Sequence, residues 1–359
     1  MPLSVIAAVH GELAEHRYAQ ADITRAFSSV VSPSGAGAEV IARIHQATGI
    51  EHRNLALPLE QYACLRGFGE ANDAFISVGL RLGEAAIAGA LEKAGLAATD
   101  IDLVLATSVT GIATPSLDAR LVGRLGLRPD VKRVPVFGLG CVAGAAGVAR
   151  VHDYLTGHPD EIALLLSVEL CSLTIQRDDA TMPNVVASGL FGDGAAAVIL
   201  VGQARAARLG LSGPQVIDSR SRMYPETERT MGWDISERGF QVVLSAGVGD
   251  VVSQYLHDDV SAFLDEHALA IDEVGRWICH PGGPRVLEAV ESSLGLAGGE
   301  LAVTWRSLAA IGNLSSASVL HVLRDTMDGC GMGVPAPGTA GVMLAMGPGF
   351  CAELVLLEW

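Results

Sequence analysis

The sequence predicts an α/β fold built from two similar halves. Three observations carry that expectation. Half of the 359 residues are hydrophobic and 18% are charged, a balance that suits a large packed core and excludes intrinsic disorder. Short apolar runs of strand type alternate with longer segments at helical spacing. A unit of helix, acidic turn, apolar strand and terminal polar residue occurs twice, as in a weakly duplicated α/β unit.

Taken in chain order, residues 1–16 lack a basic n-region and meet Glu12 too early for a secretory signal. Residues 71–94 place apolar side chains at helical spacing, with Glu70, Asp73, Glu84 and Glu92 interspersed. IDLVLA (101–106) then reads as a buried parallel strand ending at Thr107 and Ser108. Residues 134–137 form a β-type run leading through Gly138 and Gly140 to Cys141 and a helix rich in Ala and Gly. In the second half, residues 252–267 read as a helix and RWIC (276–279) as a short strand ending at His280. The seam is expected near residues 202–213, dividing the chain into 1–205, which carries Cys141, and 206–359, which carries His280 and Asn313. The uncharged run 329–352 is long enough to span a bilayer, but Pro335, Pro337 and Pro348 forbid one continuous helix. It reads as buried strands joined by a turn, so no membrane insertion is expected.

Lys plus Arg number 24 against 40 Asp plus Glu, a formal charge of −16. A field of that sign repels nucleic acid and anionic membrane, so an anionic ligand needs a local cluster of cations. The six cysteines form no CxxC pair and no zinc-finger spacing, so no metal site is expected and free thiols in a reducing cytoplasm are.

Three residues stand out chemically. Cys141 sits at the first turn of a Gly/Ala-rich helix, where the helix dipole would favour a thiolate; a buried structural cysteine is the alternative. His280 opens HPGGP, a rigid turn that suits an imidazole acting as base or thiolate partner, although a lone histidine is more often structural. Asn313 lies in IGNLSSASVLHVL, before a helix-like run at 315–323. Its amide could donate to an oxyanion or simply cap the helix. Cys, His and Asn together make a nucleophilic set for acyl transfer.

Longer motifs add to this set. HPGGP, GNLSSAS, MGPGF and FGDG, with GLGCVAGAAG, ELCSLT, GLFGDGAAAV, MGWDISERGFQVVLS and GPGFCAELVLLEW, resemble the type III polyketide synthases. These are the chalcone-synthase-like branch of the thiolase superfamily, and the resemblance covers nearly the whole chain. It implies the five-layered αβαβα thiolase-like architecture with two pseudo-repeated halves, and a homodimer. It places the acyl-carrying nucleophile on Cys141, and malonyl-CoA decarboxylation with enolate stabilisation on His280 and Asn313. It implies no metal or redox cofactor, because loss of CO₂ generates the carbanion and acyl-CoA and malonyl-CoA are the substrates. Phe191 matches a gatekeeping phenylalanine, and Cys171, Thr174 and Ser315 match the elongation pocket. Val242 and Thr114 are smaller than their plant counterparts, which implies a roomier cavity. Arg53 weakly matches a position near the CoA tunnel entrance, with a solvated surface arginine as the alternative.

The ELCS pattern and YPETERTMGWDISE (224–237) are similar to bacterial members taking fatty acyl starters. The expected reaction is therefore iterative condensation of malonyl-CoA onto a medium- or long-chain acyl-CoA, giving alkylpyrones or alkylresorcinols. Two relatives of this chemistry stay open: a malonyl-primed synthase of a small polyhydroxyarene, and an initiation ketosynthase using acyl carrier protein. The second would use a basic docking patch, and the sequence shows no Lys/Arg cluster. A cysteine hydrolase and a non-catalytic scaffold fit less well.

Overall fold

Continuous runs of buried residues, covered on both faces, build the sheet at the centre of the molecule. The computed structural model describes residues 3–32, 34–35, 37–296 and 298–359. The first half opens with β1 (Ser4–Leu13), β2 (His16–Ala19), α1 (Gln20–Val31), α2 (Ala38–Gln46), β3 (His52–Leu55) and α3 (Leu59–Tyr62). Next come α4 (Phe68–Ala94), β4 (Leu103–Thr107), α5 (Leu117–Leu125), β5 (Lys132–Val136) and α6 (Ala143–Gly157). β6 (Ile162–Leu170), α7 (Met182–Leu190), β7 (Asp193–Gly202) and α8 (Gln203–Leu209) complete it. The second half holds β8 (Gln215–Met223), β9 (Met231–Ser236), β10 (Gly239–Leu244), α9 (Val248–Asp265) and β11 (Arg276–Cys279). It ends with α10 (Pro284–Leu294), α11 (Ala302–Ile311), α12 (Ser316–Met327), β12 (Ala340–Gly347) and β13 (Cys351–Glu358).

Nine strands join in the order β11-β12-β13-β8-β1-β7-β6-β4-β5. The pairing repeats across the seam. β1 runs antiparallel to β7, β7 antiparallel to β6, and β6 parallel to β4. In the same way β8 is antiparallel to β13, β13 antiparallel to β12, and β12 parallel to β11. β1 and β8 meet at Ser4↔Val216 and Val5↔Gln215, which welds the halves.

Side chains alternate between faces with the strand period of two. On β6, Ile162, Leu164 and Leu166 join the core under α4, while Ala163 and Leu165 join the core around α6 and α12. On β12, Val342, Leu344 and Met346 face the α9 and α10 side, and Met343 and Ala345 face the centre. The layers are thus α4/α5, first half-sheet, α6/α12, second half-sheet, α9/α10. α6 and α12 form the middle layer, so they are buried nearly all round. Small residues permit this: a Cβ on Gly144 would lie 2.3 Å from the Ser316 carbonyl oxygen.

By length and composition alone α4 could cross a membrane. Instead Phe75, Val78, Leu82, Ala86, Ile87 and Leu91 form one buried stripe against the sheet, as in a core helix. The uncharged run 329–352 resolves into a loop, β12 and the start of β13, two antiparallel strands.

Candidate active site

The thiol and the imidazole come from two strand-to-helix connections, and the amide from the helix-to-helix connection between α11 and α12. Cys141 lies in a 3₁₀ turn, Gly140–Val142, between β5 and α6. Gly140 has φ +59, and its Cβ would meet Pro348 at 2.6 Å, so the turn must approach the Gly347–Phe350 loop without a side chain. His280 follows β11, and its N–H donates to the Leu344 carbonyl at 2.8 Å, which continues the parallel ladder. Asn313 joins α11 to α12 through Gly312 (φ +74).

Hydrogen bonds link the three connections. The Cys141 thiol donates to Ser315 Oγ at 3.7 Å. The Ser315 N–H donates to Asn313 Oδ1 at 2.8 Å, and Asn313 Nδ2 donates to the Gly282 carbonyl at 3.4 Å, inside the HPGGP turn. Ser315 holds φ 48 and ψ −129, a sparsely populated conformation for a residue with a Cβ. Phe191, half-buried, pairs with Asn313 as an isolated bridge.

Burial decides the charge states. It pushes the Cys141 thiol up to about 12, aided by the negative Glu169, and the Ser315 hydrogen bond opposes this only in part. It pulls His280 down to about 3. The helix-dipole thiolate expected from sequence is therefore corrected: desolvating a single charge at a fully buried site outweighs a helix terminus worth about 0.3–2 kcal/mol. Burial thus favours the neutral form of each group taken by itself. Both His280 ring nitrogens are buried without a hydrogen-bond partner among the described residues, so they are free to take a proton or meet a substrate oxygen.

Glu169 is a further participant that sequence reading passed over. Its buried carboxylate accepts from Val109 N (3.1 Å), Thr110 Oγ1 (2.9 Å), Ser108 Oγ (3.3 Å) and Ser316 Oγ, tying the end of β6 to the start of α12. A carboxylate inside the otherwise apolar run IALLLSVEL was the available signal.

The pocket residues divide. Cys171 and Thr174 share the 3₁₀ turn after β6, and Cys171 lies within electrostatic reach of Cys141 and Glu169. Thr174 lines a cavity of about 430 Å³ with Thr110, Leu173, Gln176, Phe68 and Phe240. Thr114 is exposed and lines a separate cavity of about 330 Å³ beside β5, so it does not share a cavity with Thr174 in one chain. Val242 lies outside both linings, and Trp233 stands directly opposite it in the β9–β10 ladder. Cross-strand partners share a face, so Trp233 and Val242 lie on one face of this ribbon with Phe240, whose ring centroid is 6.0 Å from that of the indole.

Arg53 is the second correction. It is 0% exposed. Its guanidinium donates to Gln20 Oε1 (2.9 Å), the Phe191 carbonyl (2.6 Å) and the Ser188 carbonyl (2.9 Å). Every nitrogen is committed inside the protein, so Arg53 is neither a phosphate ligand at a tunnel mouth nor a solvated surface residue. Among the described residues no group of three or more His, Cys, Asp or Glu side chains could hold a metal ion.

The chain matches the family model for the N-terminal domain of chalcone and stilbene synthases over residues 67–204, and that for the C-terminal domain over 215–358. It is 57% identical over 354 residues to 1,3,6,8-tetrahydroxynaphthalene synthase of Streptomyces peucetius subsp. caesius, covering 99% of this chain and 93% of that one. It is 36% identical to a putative chalcone synthase of Bacillus subtilis (strain 168), covering 86% of each. Among solved structures it resembles 1,3,6,8-tetrahydroxynaphthalene synthase of Streptomyces coelicolor A3(2), a bacterial type III polyketide synthase, with TM-score 0.92, 29% identity and 99% of both chains covered.

Proposed function

Because the chain belongs to the chalcone and stilbene synthase family, the type III polyketide synthases, we propose that it condenses malonyl-CoA units, starting from malonyl-CoA itself, into a polyhydroxynaphthalene. As a member of that family the enzyme catalyses Claisen condensation of CoA thioesters. The observation that carries the product assignment is the 57% identity over 99% of the chain to a named tetrahydroxynaphthalene synthase. Trp233 opposite Val242 agrees with it, since an indole there suits a short starter better than a long one. The medium- or long-chain acyl starter expected from sequence gives way to this malonyl-primed reading.

The roles follow from the charge states. In loading, Cys141 Sγ attacks the CoA thioester carbonyl while its proton passes to His280. The new S–C bond forms, the bond to CoA breaks, and CoA leaves as a thiol carrying that proton. Transfer within the pair creates the two charges together as one compensated ion pair, which the site tolerates far better than either charge buried alone. In extension, the C–CO₂⁻ bond of a second malonyl-CoA breaks and its electron pair moves onto the thioester oxygen. Asn313 Nδ2 and a His280 N–H donate to that enolate oxygen in a site of low dielectric, where such donors are strongest. The enolate carbon attacks the Cys141-bound carbonyl, a C–C bond forms, and Cys141 leaves as thiolate for the next round. Phe191 gates, and Cys171, Thr174 and Ser315 bound, the growing chain.

The proposal includes a cytosolic homodimer. β5 pairs on one side only, with β4, and leaves Val134 (41%), Phe137 (48%) and Ile112 (48%) exposed along that edge. An exposed apolar edge invites a second strand, and Thr114 sits beside it.

The test is incubation with malonyl-CoA as the only thioester, then with acyl-CoAs of graded length, with products read by mass. A polyhydroxynaphthalene from malonyl-CoA alone supports the proposal. Strict dependence on an added acyl-CoA would replace it with alkylpyrone or alkylresorcinol synthesis, for which the cavity of about 430 Å³ beside Thr174 leaves room.

A further inference from the structure

The end of α7 is held in an unusual way. An α-helix leaves its last carbonyls without intrahelical partners. Here the Ser188 carbonyl accepts from Arg53 Nη2 (2.9 Å) and the Gly189 carbonyl from Gln20 Nε2 (2.7 Å). The Leu190 carbonyl accepts from the Asn313 backbone N–H (3.0 Å) and the Phe191 carbonyl from Arg53 Nη1 (2.6 Å). Arg53 Nε also donates to Gln20 Oε1 at 2.9 Å, so the two side chains form one clamp. On return, Gly192 N–H donates to the Asn313 carbonyl at 2.9 Å. Asn313 is therefore docked by both of its backbone polar groups onto the segment that Arg53 and Gln20 fix.

The clamp also reaches Asn313 from the other side. A Cβ on Gly312 would lie 3.0 Å from Arg53 Cγ and Cδ and 2.9 Å from the Leu190 carbonyl oxygen, so the arginine stem forms the floor under the residue before Asn313. The cation is balanced by Asp193, which accepts from Ser172 N (2.8 Å), Ala56 N (2.6 Å) and Ser172 Oγ. His45, kept neutral by burial and by the Arg53 charge, bonds the Val185 carbonyl (3.2 Å) and Ser188 Oγ (3.1 Å) one turn earlier. A positive group at a helix C-terminus is favoured by the helix dipole.

We propose that Arg53 and Gln20 are positioning residues for the decarboxylation half-reaction: by capping the end of α7 they set where the Asn313 amide meets the enolate oxygen. Neither touches substrate. The inference rests on the family reading, and it separates two steps that share one enzyme. Loading needs Cys141, on the β5–α6 turn, which the clamp does not touch. Decarboxylation needs Asn313, which it does.

The test uses Gln20→Ala and Arg53→Lys in the full-length protein. Malonyl-CoA decarboxylation and acyl transfer to Cys141 are measured separately, each per mole of folded enzyme. The expected result is a fall in decarboxylation kcat of about tenfold for Gln20→Ala and about a hundredfold for Arg53→Lys, the loss typical of a misplaced catalytic group. KM and Cys141 loading should stay within about threefold of wild type. If Arg53→Lys does not fold, Gln20→Ala, which keeps the buried charge pair, carries the test. A rise in KM with kcat unchanged would overturn the inference in favour of CoA binding. An equal fall in loading and decarboxylation, or no change in either, would reduce the clamp to plain structural support. Wild-type enzyme without malonyl-CoA decarboxylation would overturn the family-based function and with it this inference, a result distinguishable from a clamp effect because it appears before any substitution.

Discussion

Gly144 and Gly157 lie on the same helix and face opposite surroundings, so one substitution made at both tests the central layer. A Cβ at Gly144 would come within 2.3 Å of the Ser316 carbonyl oxygen and 2.6 Å of Val319 Cγ1. Ordinary contacts begin near 3.4 Å, so α12 must retreat by about 1 Å; overpacking of this kind costs about 1–3 kcal/mol, and here the obstacle is backbone. Alanine returns about 1 kcal/mol of helix propensity. The net expectation for Gly144→Ala is destabilisation of up to about 2 kcal/mol. Ser316 follows Ser315, the residue bonded to both Cys141 and Asn313, so the retreat also moves the site; a displacement of about 1 Å can cost about a hundredfold in turnover. At Gly157 a Cβ meets nothing within 4 Å and the backbone is not left-handed. Gly157→Ala should be neutral or stabilising by up to about 1 kcal/mol, with activity intact. Denaturant midpoints and malonyl-CoA turnover measure both. Gly144→Ala matching wild type in stability and turnover would refute the tight crossing of α6 and α12.

Trp233→Ala should remove the wall opposite Val242 and admit longer acyl-CoA starters, read by product mass from a graded panel; an unchanged starter range would place Trp233 outside the starter's path. His321, buried and held near pKa 3 by burial and the Arg324 charge, is neutral when folded and titrates near 6.5 when unfolded. Its contribution is present above pH 6.5 and declines as pH falls toward 3, by about 2–3 kcal/mol at pH 4.5. His321→Asn should therefore show a shallower loss of stability between pH 7 and 4.5 than wild type, and an identical slope would contradict the assignment. Val134→Lys on the β5 edge should shift the protein from dimer to monomer by light scattering, without loss of fold.

Much of the architecture was legible because it rests on local patterns. RWIC marks β11 to the residue, and the stripe from 71 to 94 lies within α4, which begins three residues earlier at Phe68. β4 is Leu103–Thr107 rather than 101–106, and Asp102 just before it already bonds both neighbours: its N–H donates to the Ile162 carbonyl (2.8 Å), its carbonyl accepts from Lys132 N–H (2.9 Å) and its carboxylate accepts from Ile162 N (2.8 Å). The predicted helix at 252–267 runs over Val248–Asp265, ending before Ala268 at φ 54. The turn chemistry around Cys141, His280 and Asn313 was visible for the same reason: glycines and prolines announce where backbone is constrained. What stayed hidden depends on partners far away in the chain. HRNL looks like a polar surface strand, and only α7, more than a hundred residues later, makes Arg53 a buried cap. Trp233 gains meaning only from its register with Val242. The direction of the Cys141 shift depends on how completely the site is buried, which a helix-terminus argument does not register.

The most direct measurement locates the acyl thioester. Wild-type enzyme is given isotope-labelled malonyl-CoA, quenched in acid and digested, and the labelled peptide is identified by mass. The account predicts label on the peptide carrying Cys141, with neither label nor polyketide product in Cys141→Ala. Label on Cys171 instead, or a Cys141→Ala enzyme that still makes product, would contradict it.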